Sequence, residues 1–265
     1  RKKENFLKEF TTGGVHNVSV GEWTDDTSMA LALSKSIIEK QTFNADDIMM
    51  KFCKWHLDGE YSTRGSCFDI GGTVRLALSN YIDGYDNFEF IPNPYRGRIA
   101  VETSGNGAIM RMAPVIMVAT SSQHAVQLAI QQTLLTHGSD LCVDYSSMLA
   151  EELYYGYAMD GYRQYKLPHD IDQNKVMSGG FVKETYQAAW WAFETTDCFE
   201  DCIIKAVNRG HDADTTGAVA GMIAGRFYGL EKIPTKFKKN LMWYQELYET
   251  ANQLFQLEYK FLKNL

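Results

Sequence analysis

Two short acidic stretches carry the clearest chemistry in this chain. Thr24-Asp25-Asp26-Thr27 follows Trp23 near the front, and His211-Asp212-Ala213-Asp214-Thr215-Thr216-Gly217 lies near the back. Each gathers two carboxylates and hydroxyls within one turn, at the start of a segment with helical spacing. Four carboxylates brought together would repel, and some would take up protons. A bound cation removes that conflict. The donors are all oxygen, which suits hard ions such as magnesium, manganese or calcium better than zinc. The expectation is a two-metal site that joins both ends of the chain. Helix capping is the competing reading. Asp and Thr side chains accept orphan backbone N–H bonds, so Thr24 or Asp25, and Asp212, could serve as caps.

Three further pieces stand between these stretches. Ser104-Gly105-Asn106-Gly107 is a turn by composition, followed by the apolar run Ala108–Pro114. It is not a dinucleotide fingerprint, because the third glycine is missing, and no Gly-Lys-Ser/Thr phosphate loop occurs. A Gly-rich turn opening a helix can still aim backbone N–H groups at a phosphate; a plain turn is the alternative. His137 lies in Thr136-His137-Gly138, between two predicted helices. Asp69 lies in Arg64-Gly65-Ser66-Cys67-Phe68-Asp69-Ile70-Gly71, near the start of a helix expected over 67–80.

In this order the motifs resemble the ADP-ribosylglycohydrolase family, enzymes that remove ADP-ribose from modified arginine and other acceptors. The resemblance covers about residues 20 to 230. It implies that Thr24, Asp25, Asp26, Asp212, Asp214 and Thr215 hold two divalent cations, Mg2+ or Mn2+, with Asp26 and Asp214 as catalytic carboxylates. It implies that Ser104, Gly105, Asn106 and Gly107 hold the diphosphate and that His137 lines the pocket near the ribose. Asp69 becomes a ligand for the ribose or the acceptor, and Gly179 a further substrate contact. Phe181 or a neighbouring aromatic would stack on adenine. The implied reaction is metal-dependent hydrolysis of the N-glycosidic bond of ADP-ribosyl-arginine, with an ADP-ribosylated protein as partner and ADP-ribose as product. Alternatives are another ADP-ribose conjugate, or a non-catalytic immunity protein that blocks an ADP-ribosylating toxin. Family members usually open with a Gly-rich helix carrying Gly-Asp and a downstream glutamate. Thr24 comes too early for that element to fit, so the domain over 1–265 is expected to lack it.

The elements that must position these residues read as helices. Apolar positions recur at helical spacing over 27–40, from 46 past His56, over 123–135, 141–159, 181–193 and 197–208, then after Asp214, and in a long tail through Phe237 and Tyr248. Gly217, Gly221, Gly225 and Gly229 form a stripe that would bring another helix close and set Asp212 and Asp214 against the Thr24–Asp26 helix. Residues 1–22, 81–103 and 161–177 read as loops. No alternating strand runs are present, which points to an all-α fold, a single compact multi-helix domain.

The 265 residues are 45% hydrophobic, enough for a sizeable core. A net charge of −7 argues against nucleic-acid or anionic-membrane partners. No apolar run reaches membrane-spanning length. Five scattered cysteines do not form a disulfide framework, and Cys198 with Cys202 makes a poor metal site. The expected location is cytoplasmic.

Overall fold

Met29, Leu33 and Ile37 recur at helical spacing, and all three are buried on one face of helix α1 (Asp25–Lys40). This computed structural model describes residues 6–86, 93–155 and 175–263. Helix α2 (Ala45–Asp58) packs beside α1 through Ile48, Phe52 and Trp55. Asn44 caps it by accepting from the Asp47 N–H at 2.9 Å, and Gly59 ends it in a left-handed turn at φ 73°.

Helix α3 (Gly72–Asp86) follows, then the short α4 (Ala113–Met117). A closely packed pair, α5 (Ser122–Leu134) and α6 (Asp140–Tyr155), is joined by the loop that carries His137. Helices α7 (Val182–Glu194), α8 (Phe199–Asn208) and α9 (Ala213–Tyr228) pack against one another. The chain closes with α10 (Thr235–Asn240) and α11 (Tyr244–Lys263), and α11 lies against α1. One continuous core runs from Met29 and Phe52 through Met112 and Leu149 to Tyr186 and Ile223. Among the described residues there are isolated β-bridges but no strand, and no helix is long and apolar enough to cross a membrane. The all-α expectation holds.

Several boundaries differ from the sequence expectation. The third helix begins at Gly72, five residues later than expected, because Asp69 takes φ +55° and cannot continue a helix. It runs on to Asp86, into the stretch read as a connection. The glycine stripe does not meet the front helix. Its glycines face α8: a Cβ on Gly217 would lie 2.9 Å from Val207, and those on Gly221 and Gly225 would touch Ile203 and Phe199. The tail is two helices rather than one, broken where Trp243 takes φ +51°. The expected C-terminal end of the 141–159 helix and most of the 161–177 loop, Pro168 included, lie outside the described residues.

One buried cation ties the centre together. Arg111 is fully buried on a 3-10 turn. Its Nε donates to Gln132 Oε1 at 3.0 Å, and its Nη2 donates to the Gln132 carbonyl at 3.1 Å and to Thr136 Oγ1 at 2.7 Å. Its guanidinium lies 4.7 Å over the Phe52 ring. Burial pulls its pKa down to about 9, while the Asp25 charge opposes that pull. Arg111→Met removes the donor that three buried acceptors share. We expect unfolding free energy to fall by about 3 kcal/mol, read as a lower urea midpoint at unchanged slope. A loss under about 0.5 kcal/mol would show that the network is not structural.

Candidate active site

Trp23 sets the first acidic stretch in place. Its indole is buried, donates from Nε1 to the Tyr61 carbonyl at 3.2 Å and meets Trp243 edge-on at 5.0 Å. Just before it, Gly21 takes φ +82°, and a Cβ there would lie 1.7 Å from the Asn240 carbonyl oxygen. Only glycine lets the lead-in pass the C-terminal segment this closely. The chain then enters α1 with Thr24 at the cap position.

Thr24 does not cap the helix. Its side chain bonds no N–H of the first turn. Its hydroxyl stands 2.8 Å from Asp26 Oδ2 and 3.2 Å from Asp214 Oδ2, across 190 residues of sequence. Asp212 occupies the cap position of α9 and also makes no side-chain cap bond. Its Oδ2 accepts from Asn106 Nδ2 at 2.6 Å, and the same amide nitrogen donates to Thr185 Oγ1 at 2.8 Å. Elsewhere Asn44 and Ser121 do cap their helices. The capping alternative therefore fails for Thr24 and Asp212, and the two acidic stretches meet.

A cleft of about 270 Å³ opens at this junction. Among the expected residues, Asp25, Asp69, Gly105, Asn106, Gly107, His137, Asp212 and Thr215 line it. Thr24, Asp26 and Asp214 are not in its wall; the Thr24 hydroxyl joins the three to one another, and Asp26 feels the charge of Asp212, which does line the cleft. Two expectations do not fit this wall. Ser104 is fully buried, with its hydroxyl 2.7 Å from that of Ser139. The Gly179 N–H donates to Glu184 Oε2 at 2.9 Å, and Gly180 lines the cleft in its place. The expected phosphate turn is also partly spent: the Gly105 N–H bonds the Thr103 carbonyl at 2.8 Å, and the Asn106 N–H bonds the Gly180 carbonyl at 3.1 Å.

Gly71, Gly72, Thr73 and Val74, at the start of α3, complete one side of the cleft. This helix N-terminus presents orphan N–H groups and positive potential to an anion. The sequence marks Gly71-Gly72 as a place where a ligand or neighbouring backbone comes close, but sets the pair inside a helix begun at 67 and not at the helix start. His16 was missed. It reaches from the lead-in to pair with Asp69, Nε2 to Oδ1 at 2.7 Å.

His137 forms the floor. A Cβ on Gly107 would come 2.9 Å from its ring, and the backbones of Gly97 and Gly138 touch so closely that neither could bear a side chain. Arg111 donates to Thr136 Oγ1, which stands 2.8 Å from His137 Nδ1. That chain of bonds leaves the hydroxyl hydrogen for Nδ1 and assigns the ring hydrogen to Nε2. Burial and the Arg111 charge push the imidazole down to about 3, so it is neutral.

The aspartates show the expected conflict. Burial, then the Asp214 charge, pushes Asp26 up to about 8. Burial, then the charges of Asp26, Asp69 and Asp214, raises Asp25 well above the usual range. Asp69 is pushed up to about 6 by burial and Asp214, against the pull of His16. Burial also raises Asp212, against its bond from Asn106. Asp26 Oδ1 is buried without a hydrogen-bond partner. An all-oxygen set with one orphaned buried carboxylate oxygen fits a hard cation. Among the described residues, no group of three or more Asp, Glu, His or Cys side chains is drawn together closely enough to hold a metal ion as it stands.

Comparison with known proteins agrees with this fold. A statistical description of the ADP-ribosylglycohydrolase family matches residues 1–261. The chain is 34% identical to "ADP-ribosylarginine hydrolase Tri1" of Serratia proteamaculans, over 94% of this chain and 71% of that protein. It is 31% identical to "ADP-ribosyl-[dinitrogen reductase] glycohydrolase" of Rhodospirillum rubrum, over 88% of this chain and 78% of that one. A solved "ADP-ribosylglycohydrolase-related protein complex" superposes with a TM-score of 0.79 at 28% identity, covering 97% of this chain and 89% of the other. The chain belongs to the ADP-ribosylglycohydrolase family, and its class is that of an ADP-ribosyl hydrolase.

The raised pKa of Asp26 has a signed consequence. In cation-free protein its proton adds stability that is complete below its ordinary value of 3.8 and is lost as the pH rises through about 8. The melting temperature in chelator should therefore fall across that window. Asp26→Asn should flatten the fall, and a flat wild-type profile would count against a protonated Asp26.

Proposed function

We propose that this protein is a metal-dependent hydrolase that removes ADP-ribose from modified proteins by cleaving its N-glycosidic bond to arginine. The observation that carries this reading is the junction itself. Carboxylates from both ends of the chain meet at a cleft, and neither cap-position side chain is spent on its helix. The relatives named ADP-ribosylarginine hydrolase span 94% of the chain and support arginine as the acceptor.

Thr24, Asp25, Asp26, Asp212, Asp214 and Thr215 would hold two divalent cations, Mg2+ or Mn2+. When bound, such ions supply positive charge that grips the ribose hydroxyls and activates water. The chain's own groups do the rest. Asn106 holds Asp212 by its amide and so orients that carboxylate toward the ribose. The start of α3 and the turn at Gly105–Gly107 flank the diphosphate, with glycines giving room on the turn. Neutral His137 offers its Nε2–H without adding charge beside the ribose. Asp69 faces the ribose or the leaving guanidine. Asp26 and Asp214 move the proton: as the water oxygen bonds to the anomeric carbon and the bond from that carbon to the guanidine nitrogen breaks, one carboxylate takes the proton from water and the other returns one to the departing nitrogen. Positive charge gathers on the ribose ring as the bond opens, and the surrounding carboxylates stabilise it. This is work on a protein substrate in the cytoplasm, with ADP-ribose as product.

The test is release of ADP-ribose from mono-ADP-ribosylated arginine with magnesium, with manganese and with chelator. We expect metal-dependent release that Asp214→Ala lowers by about 100-fold or more. Asp214 is exposed, so the variant should remain folded. Release that persists in chelator would sink the metal requirement. No release from folded, metal-loaded protein would reject arginine as the acceptor.

A further inference from the structure

His16 lies on a turn outside both acidic stretches, yet its imidazole reaches Asp69, which lines the cleft. The turn closes through paired backbone bonds between Gly13 and Val18, at 2.9 and 2.8 Å. Arg64 holds it from behind. Its Nη1 donates to the His16 carbonyl at 3.0 Å, and its Nη2 donates to the Asn17 carbonyl at 3.1 Å and to Glu22 Oε2 at 2.8 Å. The same guanidinium lies 4.3 Å over the Phe68 ring, next to Asp69 in the chain. One arginine thus grips the His16 turn and stacks beside the Asp69 loop, and the two meet at the 2.7 Å contact between Nε2 and Oδ1.

Asp69 needs such a partner. Its backbone is left-handed, at φ +55°, and its carboxylate faces the charges of Asp214 and Asp25. Repulsion within the cluster would turn it away from the cleft that it lines. A hydrogen bond to a carboxylate from a well-seated donor opposes that rotation. The pair is partly exposed, with side chains at 35% and 29%, so its value is directional rather than a large source of stability.

We propose that His16 is a positioning residue of the cleft: its imidazole fixes the Asp69 carboxylate in the cleft wall so that it can accept from the ribose hydroxyls beside the scissile bond. This rests on the reading of the cleft as the ADP-ribose site. It gives the lead-in turn a part in substrate binding, and it makes Glu22 and Arg64 the support on which that part depends.

Calorimetric titration of the magnesium-loaded full chain with ADP-ribose is the test, because it needs no turnover. His16→Ala should weaken binding about tenfold. His16→Gln, whose amide N–H can stand where Nε2–H stood, should return it to within about twofold. In an Asp69→Asn background, His16→Ala should cost nothing more. Unchanged affinity in His16→Ala, failure of the glutamine to restore it, or additive losses would each overturn the proposal. Melting temperature of every variant checks folding, and the turn is exposed enough to tolerate the change. Turnover of ADP-ribosyl-arginine is measured on the same samples. Wild-type protein that binds ADP-ribose without releasing it from arginine rejects the proposed function, and the affinities still decide the role of His16. Wild-type protein that does not bind ADP-ribose overturns both.

Discussion

Like charges from opposite ends of the chain are held together here, and the rest of the structure answers to that constraint. Thr24 places one hydroxyl between Asp26 and Asp214, and Asn106 holds Asp212 from the other side. A single hydroxyl hydrogen cannot satisfy two carboxylates at once. The carboxylates are therefore crowded and costly to keep charged together, as the raised pKa values of Asp25 and Asp26 express. Stability must come from elsewhere. It comes from the core shared by α1, α2 and the middle helices, and from Trp23, which anchors the first stretch against Tyr61 and Trp243.

The second stretch is placed by different means. Gly217 lets α9 lie against Val207 of α8, and the Asp212 N–H bonds the Ser178 carbonyl at 2.9 Å. Close helix packing fixes the direction of α9, and the backbone bond fixes its first residue. The Asn106 turn is tied to the same place, since its N–H bonds Gly180 and its side chain bonds Asp212. Three segments distant in sequence thus share one corner. A shift in any of them moves the carboxylates relative to one another and to the cleft.

Arg111 links this corner to the cleft floor. It is a buried cation that feels Asp25 on one side and orders Thr136 and His137 on the other. The result is a neutral imidazole facing the cleft beside a cluster of carboxylates. Fixed dipoles and neutral donors can then sit near the substrate without neutralising the acidic groups that would hold cations.

Much of this was legible in the sequence. The helical spacing of Met29, Leu33 and Ile37, the absence of strand patterns and the two acidic stretches gave the fold class and the central residues, because these signals are local and periodic. The start of α3 was misread because the left-handed backbone of Asp69 comes from its surroundings, not from its own propensity. Ser104 and Gly179 were placed in the substrate wall by motif, but their hydrogen bonds turn them into its support. His16 carried no signal at all, since its partner lies 53 residues away (69 − 16) and only an arginine clamp brings them together. What the sequence determined by itself was the chemistry on offer: which helices form, and which carboxylates, hydroxyls and glycines stand at their ends. What only the tertiary structure decided was their use. Whether a threonine caps its own helix or bridges two aspartates depends on what lies across from it, and that is settled by packing between segments that no local pattern connects.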